Sequence, residues 1–475
     1  MKRIRIDEQS RFFLLVLCLG LLLFNNGIYL FFPVAVIYVL LYQLQQPYKP
    51  GVFTLIALQH FLQIAAGVWL CNYLGKDINY NTSSRATAIV ASSIGLCFLL
   101  GPIVYYQGKI PAQSRKSLYD CVRNFSTQKA MNLYIIAFFT SSFLGSVAFI
   151  FGGLTQVIFS LVKVKWLFFL LFGYMTVLKK EKLNIFYLFI LLEFLNGFLG
   201  FFSDFKTVIY FLVILIFSLV EKLEFKKVVL VATIGIMLGF FGIVWTNIKG
   251  EYRAFLNGGA RSQAVTVEKD QAIDKLVNLT GKVSNDGLDG SVIDFLDRLQ
   301  YTYHFAKTID MMPSVLPFEG GANWLRTLEF TTTPRILNPD KGIYDATEKT
   351  KKYTGIRYAG RLQGTSFSLG YFADCYIDFG LYGMMGLLFV IGILYRYLYA
   401  YLLRKSSNNM VFNYAVVGAF FAEFNALEMD STYFFGRLFS SAIVFFLLIR
   451  FFFPWVINYI TIKPEKEAHS FFLNE

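Results

Sequence analysis

The chain is expected to be all-α, a polytopic integral membrane protein of about twelve transmembrane helices with one large lobe between the ninth and tenth spans. Three observations lead there. Apolar runs recur at close to the length, about 20 residues, that a helix needs to cross a bilayer. Of the residues, 56% are hydrophobic, with 53 Phe and 29 Tyr, where a soluble domain has roughly 45–50% apolar residues. Between Trp245 and Thr365 the apolar pattern stops for roughly 120 residues, far longer than an ordinary connection, so this stretch must be an ordered lobe.

On that ruler, spans fall at 12–25, 27–43, 52–74, 86–106, 131–153, 165–178, 184–200, 206–220, 228–246, 380–402, 410–427 and 435–459. The first two are short and are split by the turn signal Asn25-Asn26-Gly27, so they form a tight hairpin. The sixth is also short, and residues 152–164 are expected at the interface before it. The organisation is therefore a bundle over 1–246, the lobe over 247–365, and a second bundle over 366–475.

Charge orients the chain. With the N-terminus inside, twenty cations of the termini and short loops, from Lys2 and Arg3 to Lys463 and Lys466, fall on the cytoplasmic side. Only Lys76, Arg85, Lys163, Lys165, Lys206 and Arg437 fall on the other. That is the positive-inside bias. Both termini are expected in the cytoplasm, with the lobe outside. The net charge of +13 is spread in short runs between apolar segments, which argues against a nucleic-acid partner. The five cysteines are scattered, with no CxxC, and there are only three histidines; neither a disulfide framework nor a metal or cofactor site is indicated. Basic residues precede the first apolar run without a small-residue cleavage site, which favours an uncleaved first helix.

Inside the lobe, residues 291–311 read as one amphipathic helix capped by Ser291, and 321–331 as a second, shorter one. Residues 338–362 are polar, basic and loop-like, and are expected to act as a mobile flap. Lys249 and Arg253 are four apart and share a helix face, where they either contact phosphate or snorkel toward water. Lys206 opens a span on the cation-poor side, two residues after Asp204. Arg335 and Lys341 follow the fixed prolines Pro334 and Pro339, which lower the ordering cost of presenting a cation. Arg298 is expected to be an ion-pair partner, for instance of Asp294, and His304 to be a packed or surface imidazole rather than a base. Asp374 and Asp378, again four apart, stand where the chain returns to the membrane; carboxylates at that depth are functional or paired, and Asp378 can also be a helix cap. Glu428 and Asp430 face the same side and can line an acceptor site. Trp245, Trp324 and Tyr376 can stack on sugars.

The order of these features resembles the bacterial oligosaccharide repeat-unit polymerases, the Wzy-type O-antigen polymerases, over roughly residues 200–400. The matching elements are Lys249, Tyr252 and Arg253 leaving a span, Pro334, Arg335, Pro339 and Lys341 in the loop, and Asp374, Tyr376, Phe379 and Gly380 at the return, with Lys206 opening an earlier span. Gly342 replaces the family's last loop proline; Asp374 stands for the usual glutamate and Asp378 for the usual asparagine. The resemblance implies a metal-independent glycosyltransferase of the bacterial inner membrane, without cofactor. It would move a growing glycan from undecaprenyl pyrophosphate to a hydroxyl of another lipid-linked unit. Its partners would be the lipid-linked donor and acceptor, membrane lipids and a chain-length regulator. It further implies catalytic roles for Arg253, Arg335 and Asp374, and substrate contacts for Lys206, Lys249, Tyr252, Lys341, Tyr376 and Asp378. Arg253, Arg335 and Lys206 are expected to converge on the pyrophosphate, where a planar guanidinium grips phosphate oxygens at two points. An O-antigen ligase uses the same donor, and a lipid-linked oligosaccharide flippase is the alternative of a different class.

Overall fold

The computed structural model describes residues 5–6, 8–111, 113–148, 150, 154–199, 205–259, 266–281, 288–333, 338, 340–342, 344–360 and 366–462. The chain is a helical membrane protein. Its N-terminal helices are α1 (Glu8–Gly20), α2 (Gly27–Leu44), α3 (Val52–Tyr73), α4 (Arg85–Lys109), α5 (Arg115–Val122), α6 (Thr127–Val147), α7 (Thr155–Val162), α8 (Val164–Lys179), α9 (Leu183–Leu199) and α10 (Lys206–Leu219). The long α11 (Phe225–Leu256) leads into the lobe, built of α12 (Lys269–Gly281), α13 (Leu288–Leu299), α14 (Thr302–Met311), α15 (Ala322–Thr332) and α16 (Ala346–Thr354). The chain closes with α17 (Tyr371–Lys405), α18 (Met410–Phe421), α19 (Ser431–Leu447) and α20 (Phe453–Ile460). Among the described residues, strand pairing consists of Arg5–Ile6 beside Lys222–Leu223 and one isolated bridge between Phe125 and Thr461.

By length and composition, seven described segments can cross a bilayer: α2, α3, α4, α6, α7 with α8, α17, and α19 with α20. The stretches Leu14–Leu23, Leu183–Phe198, Lys206–Leu219 and Met410–Phe424 are apolar helices of shorter length. The hairpin expected at Asn26 is present, with Asn26 left-handed at φ 57° and its amide donating to Asn72 Oδ1 and the Lys76 carbonyl. Asparagine tolerates that conformation because its short polar side chain bonds locally.

The core is the contact of α17 with α4. Gly392 brings the two backbones together: a Cβ there would collide with the Leu99 carbonyl, and Gly95 of α4 receives Leu388 in the same way. Small residues that let backbones approach are the packing device of helices in lipid, where burial adds little driving force. On outward faces, Phe139, Phe143, Val390 and Tyr397 stay exposed, as lipid-facing residues should.

Three cations expected in short loops lie in the interior. Lys163 sits at the break between α7 and α8 and pairs with Glu423, and Ser441 donates to that carboxylate. Lys165 pairs with Glu193 at 2.9 Å, and Tyr134 donates to the same carboxylate. Arg85, at the start of α4, is 2% exposed and donates to the Cys71 thiol. Apolar surroundings make an unpaired charge expensive; Lys163 and Lys165 are offset by carboxylates, while Arg85 has the Cys71 thiol and the Tyr303 ring.

Candidate functional site

Where the lobe meets α17 and α19, three charged side chains share a buried centre. α17 begins after Gly370, whose φ of 88° and contact with the Leu427 carbonyl leave no space for a Cβ. The helix breaks again at Gly380, with φ 70° and ψ −159°, against the Phe318 ring. The first turns, Tyr371–Phe379, are therefore aimed independently of the span that follows. They direct Asp374 at the N-terminus of α19, where the Ser431 N–H donates to Asp374 Oδ2 at 2.8 Å. Asp430 caps the same terminus, accepting from the Thr432 N–H at 2.8 Å. A helix N-terminus favours negative charge, and here it holds two carboxylates.

The cation comes from α16. Asp345 caps this helix by accepting from the Thr347 N–H, and Gly355, at φ 70°, ends it. Lys349 projects from its second turn and is only 11% exposed; its Nζ lies 2.7 Å from Asp374 Oδ1 and 3.4 Å from Asp430 Oδ2. Tyr344 donates to Asp430 Oδ2 at 2.7 Å. Burial alone would push the Lys349 ammonium down, but Asp374 and Asp430 outweigh it and raise it above the ordinary lysine range. Burial pushes Asp430 up; the Lys349 charge, with the Tyr344 and Thr432 donors, brings it below the ordinary range. Burial and the two carboxylates raise the Tyr344 phenol far beyond its usual value.

A third carboxylate holds α16 through Lys352 and Tyr353. Glu319 accepts from Tyr353 at 2.5 Å, Lys352 at 2.8 Å and Arg326 at 2.9 Å. Burial would raise it, yet these three donors hold it down to about 2. The segment 338–362 is thus no loose flap: its centre is a capped helix tied at both faces. Residues 291–311 likewise differ from expectation, forming α13 and α14 with a break at Gln300-Tyr301, where the Tyr301 N–H donates to the Gln63 carbonyl. Ser291 lies inside α13 and bonds Asn247, so it is not a cap.

The remaining expected residues divide. Asp378 is a cap, but for α15 rather than its own helix: Oδ1 accepts from the Gly321 and Asn323 N–H groups and Oδ2 from Trp324, each at 3.0 Å. The Tyr376 hydroxyl donates to the Met312 carbonyl, and its ring is packed by Phe305 and Phe318. Tyr252 is wholly buried beside Trp245 and donates to the Phe198 carbonyl. Both tyrosines are committed to the fold, which leaves them no face for sugar. Lys341 donates to the Phe330 and Thr333 carbonyls and covers the Phe330 ring at 3.9 Å. Trp324 packs edge-on to Phe435.

Lys249 and Arg253 lie on α11, which packs against α12 and α13, whereas α16 packs against α14. Lys249 is half-buried; burial first, then the Arg298 and Arg253 charges, lower it to about 8 against a smaller opposing effect of Asp294. Arg298 forms no ion pair with Asp294 among the described residues. Lys206 stands exposed at the start of α10. Arg335 and Asp204 lie outside the described residues, so the convergence of Arg253, Arg335 and Lys206 has no geometry here. His304 is a packed imidazole bonded to Tyr358 at 2.9 Å, and burial lowers it to about 4. His60, on α3, bonds the Ile56 carbonyl and Tyr371.

Sequence reasoning placed Asp374 and named Asp430, but missed Lys349 and Tyr344. The available signal was the Asp345 cap and Gly355 stop, which frame a helix in which Lys349, unlike Lys351 and Lys352, shares a side with Thr350 and Tyr353. Among the described residues, no three His, Cys, Asp or Glu side chains gather to hold a metal. What the centre offers chemically is a carboxylate, Asp374, whose Oδ1 is met by the Lys349 ammonium.

Comparison with curated proteins and with solved structures finds no match. A family model described as Domain of unknown function (DUF8712) matches residues 45–423, and the chain belongs to that family.

Proposed function

We propose that this protein is a membrane glycosyltransferase that polymerises lipid-linked oligosaccharide units into a surface polysaccharide. The observation that carries the reading is the Asp374–Lys349–Asp430 centre at the junction of lobe and membrane, in which Asp374 belongs to the return motif of the resembling polymerases. Transfer of a glycan from a lipid diphosphate needs a carboxylate within reach of the acceptor hydroxyl. It also needs cations where negative charge develops on the leaving group. Asp374 fits the first role once Lys349 moves toward an incoming phosphate oxygen. Lys249 and Arg253, with Arg298, fit the second, since at Lys249 the two arginine charges outweigh the opposing effect of Asp294. Lipid-borne donor and acceptor would meet the protein at the bilayer face, on the periplasmic side that the charge bias assigns to the lobe.

Polymer length in cells carrying Asp374→Asn tests this. The amide keeps the Ser431 contact and removes the base, so long chains should disappear while single repeat units accumulate on lipid. Removing a general base costs about 10²- to 10⁴-fold in rate. Normal chain lengths at native protein level would sink the assignment. Single units passed to the lipid A core instead of to a growing chain would make the protein a ligase.

A further inference from the structure

We propose that α15 lies in the interfacial plane of the bilayer, with its Leu325–Leu328 face in lipid, and that it seats the lobe on the membrane at a set depth. The helix is inside-out by the standards of a soluble lobe. Its buried positions are the polar Asn323 and Thr327, while Leu325 is 69% exposed and Leu328 is also open. At helical spacing its surface divides into three sectors. Asn323, Thr327 and Trp324 face the protein, against α17 and α19. Leu325 and Leu328 form an apolar strip; Arg326 and Glu329, both exposed, form a charged strip beside it. A helix with protein, lipid and water on its three sides has this pattern, and binding strength grows with the apolar area buried in the headgroup boundary.

The neighbourhood supplies the occupant. Asp378 accepts three N–H groups of the first turn of α15, so α15 moves with the foot of α17. The Phe379 ring lies against Gly321, and Phe318 lies against Gly380, where the span proper begins. Phe379 and Phe318 are partly open, and Tyr382, at the top of that span, is 94% exposed. Tyrosine at the edge of a span is characteristic of the bilayer interface. The exposed strip of α15 therefore continues a belt that already belongs to a membrane segment. An apolar strip contiguous with a span faces lipid; the charged strip reaches water.

The test uses the full-length protein in phosphatidylcholine–phosphatidylglycerol vesicles. A bimane fluorophore is attached to Leu325→Cys, to Leu328→Cys, and to Glu348→Cys on the exposed side of α16, and the labelling of the parent chain is subtracted. Spin-labelled lipid with the label near the headgroup should quench positions 325 and 328 several-fold more than 348, and aqueous iodide should show the reverse order. Strong iodide quenching without lipid quenching at 325 and 328 would overturn the proposal. Exclusion of both quenchers, with disulfide-linked dimers of Leu325→Cys, would overturn it too, assigning the strip to a second copy of the chain. Two probe positions guard against one variant failing to fold.

Discussion

Lys349 meets two carboxylates in a buried centre, whereas half-buried Lys249 feels two arginine charges against a weaker effect of Asp294. The contrast shows what each place is for. At Lys349 the cost of removing charges from water is offset by opposite charges and helix N–H groups, so the centre is organised before anything binds. At Lys249 the charges repel, and burial weakens the ammonium further. Asp294 offsets only part of that repulsion, so an added anion would relieve more at Lys249 than at the already neutralised Lys349.

The largest effect should come from breaking the buried side. Lys349→Met leaves Asp374 and Asp430 facing each other without a cation, which should destabilise the protein by about 3–5 kcal/mol. Thermal unfolding in detergent measures it, and adding Asp374→Asn should recover part of the loss. A Lys349→Met protein as stable as the parent would mean that the centre is not held by charge.

His304 sharpens the comparison as a largely enclosed group whose shift has no charge among its causes. Its folded value, about 4, lies below the ordinary 6.5, so the unfolded chain takes up the proton first. The stabilisation is complete above about pH 6.5 and is lost as pH falls toward 4, a total of about 3 kcal/mol. His304→Gln should flatten that part of the stability–pH curve. Glu319, held to about 2, loses its contribution only at lower pH, between about 4.5 and 2.

Asp378→Asn comes next. An asparagine usually caps as well as an aspartate. Here both oxygens accept backbone N–H groups, so an amide nitrogen must face either one donor or two. The cost should be about 1–2 kcal/mol, read as a lower unfolding temperature. A silent variant would show that one oxygen is enough.

The smallest stability effect belongs to the like-charge edge. Lys249→Gln relieves repulsion and should change stability by less than about 0.5 kcal/mol, in the stabilising direction. Its signature lies in binding: the thermal shift produced by inorganic pyrophosphate should shrink relative to the parent. A large destabilisation with an unchanged pyrophosphate response would make Lys249 a structural residue.

The helices themselves were legible because their signals are local. Each of the twelve apolar runs carries a helix, and the Asn26 turn falls where its short polar side chain permits a positive φ. The single helix expected over 291–311 failed because Tyr301 bonds the backbone of α3, a partner that no window around it contains. The flap over 338–362 failed for a related reason: its polarity was read as solvation, while Lys349 and Thr350 spend that polarity on buried partners.

By itself, then, the sequence determined that this is a helical membrane protein, and it singled out Asp374 where an apolar helix resumes after the long polar stretch. Those are consequences of transfer free energy, which accrues residue by residue. Only the tertiary structure decided that Asp374 faces Lys349 and Asp430, that Asp378 caps α15, and that Tyr252 and Tyr376 serve the core. Ion pairs and caps depend on distances of a few ångströms between segments far apart in the chain, and the packing of α16, α17 and α19 sets those distances.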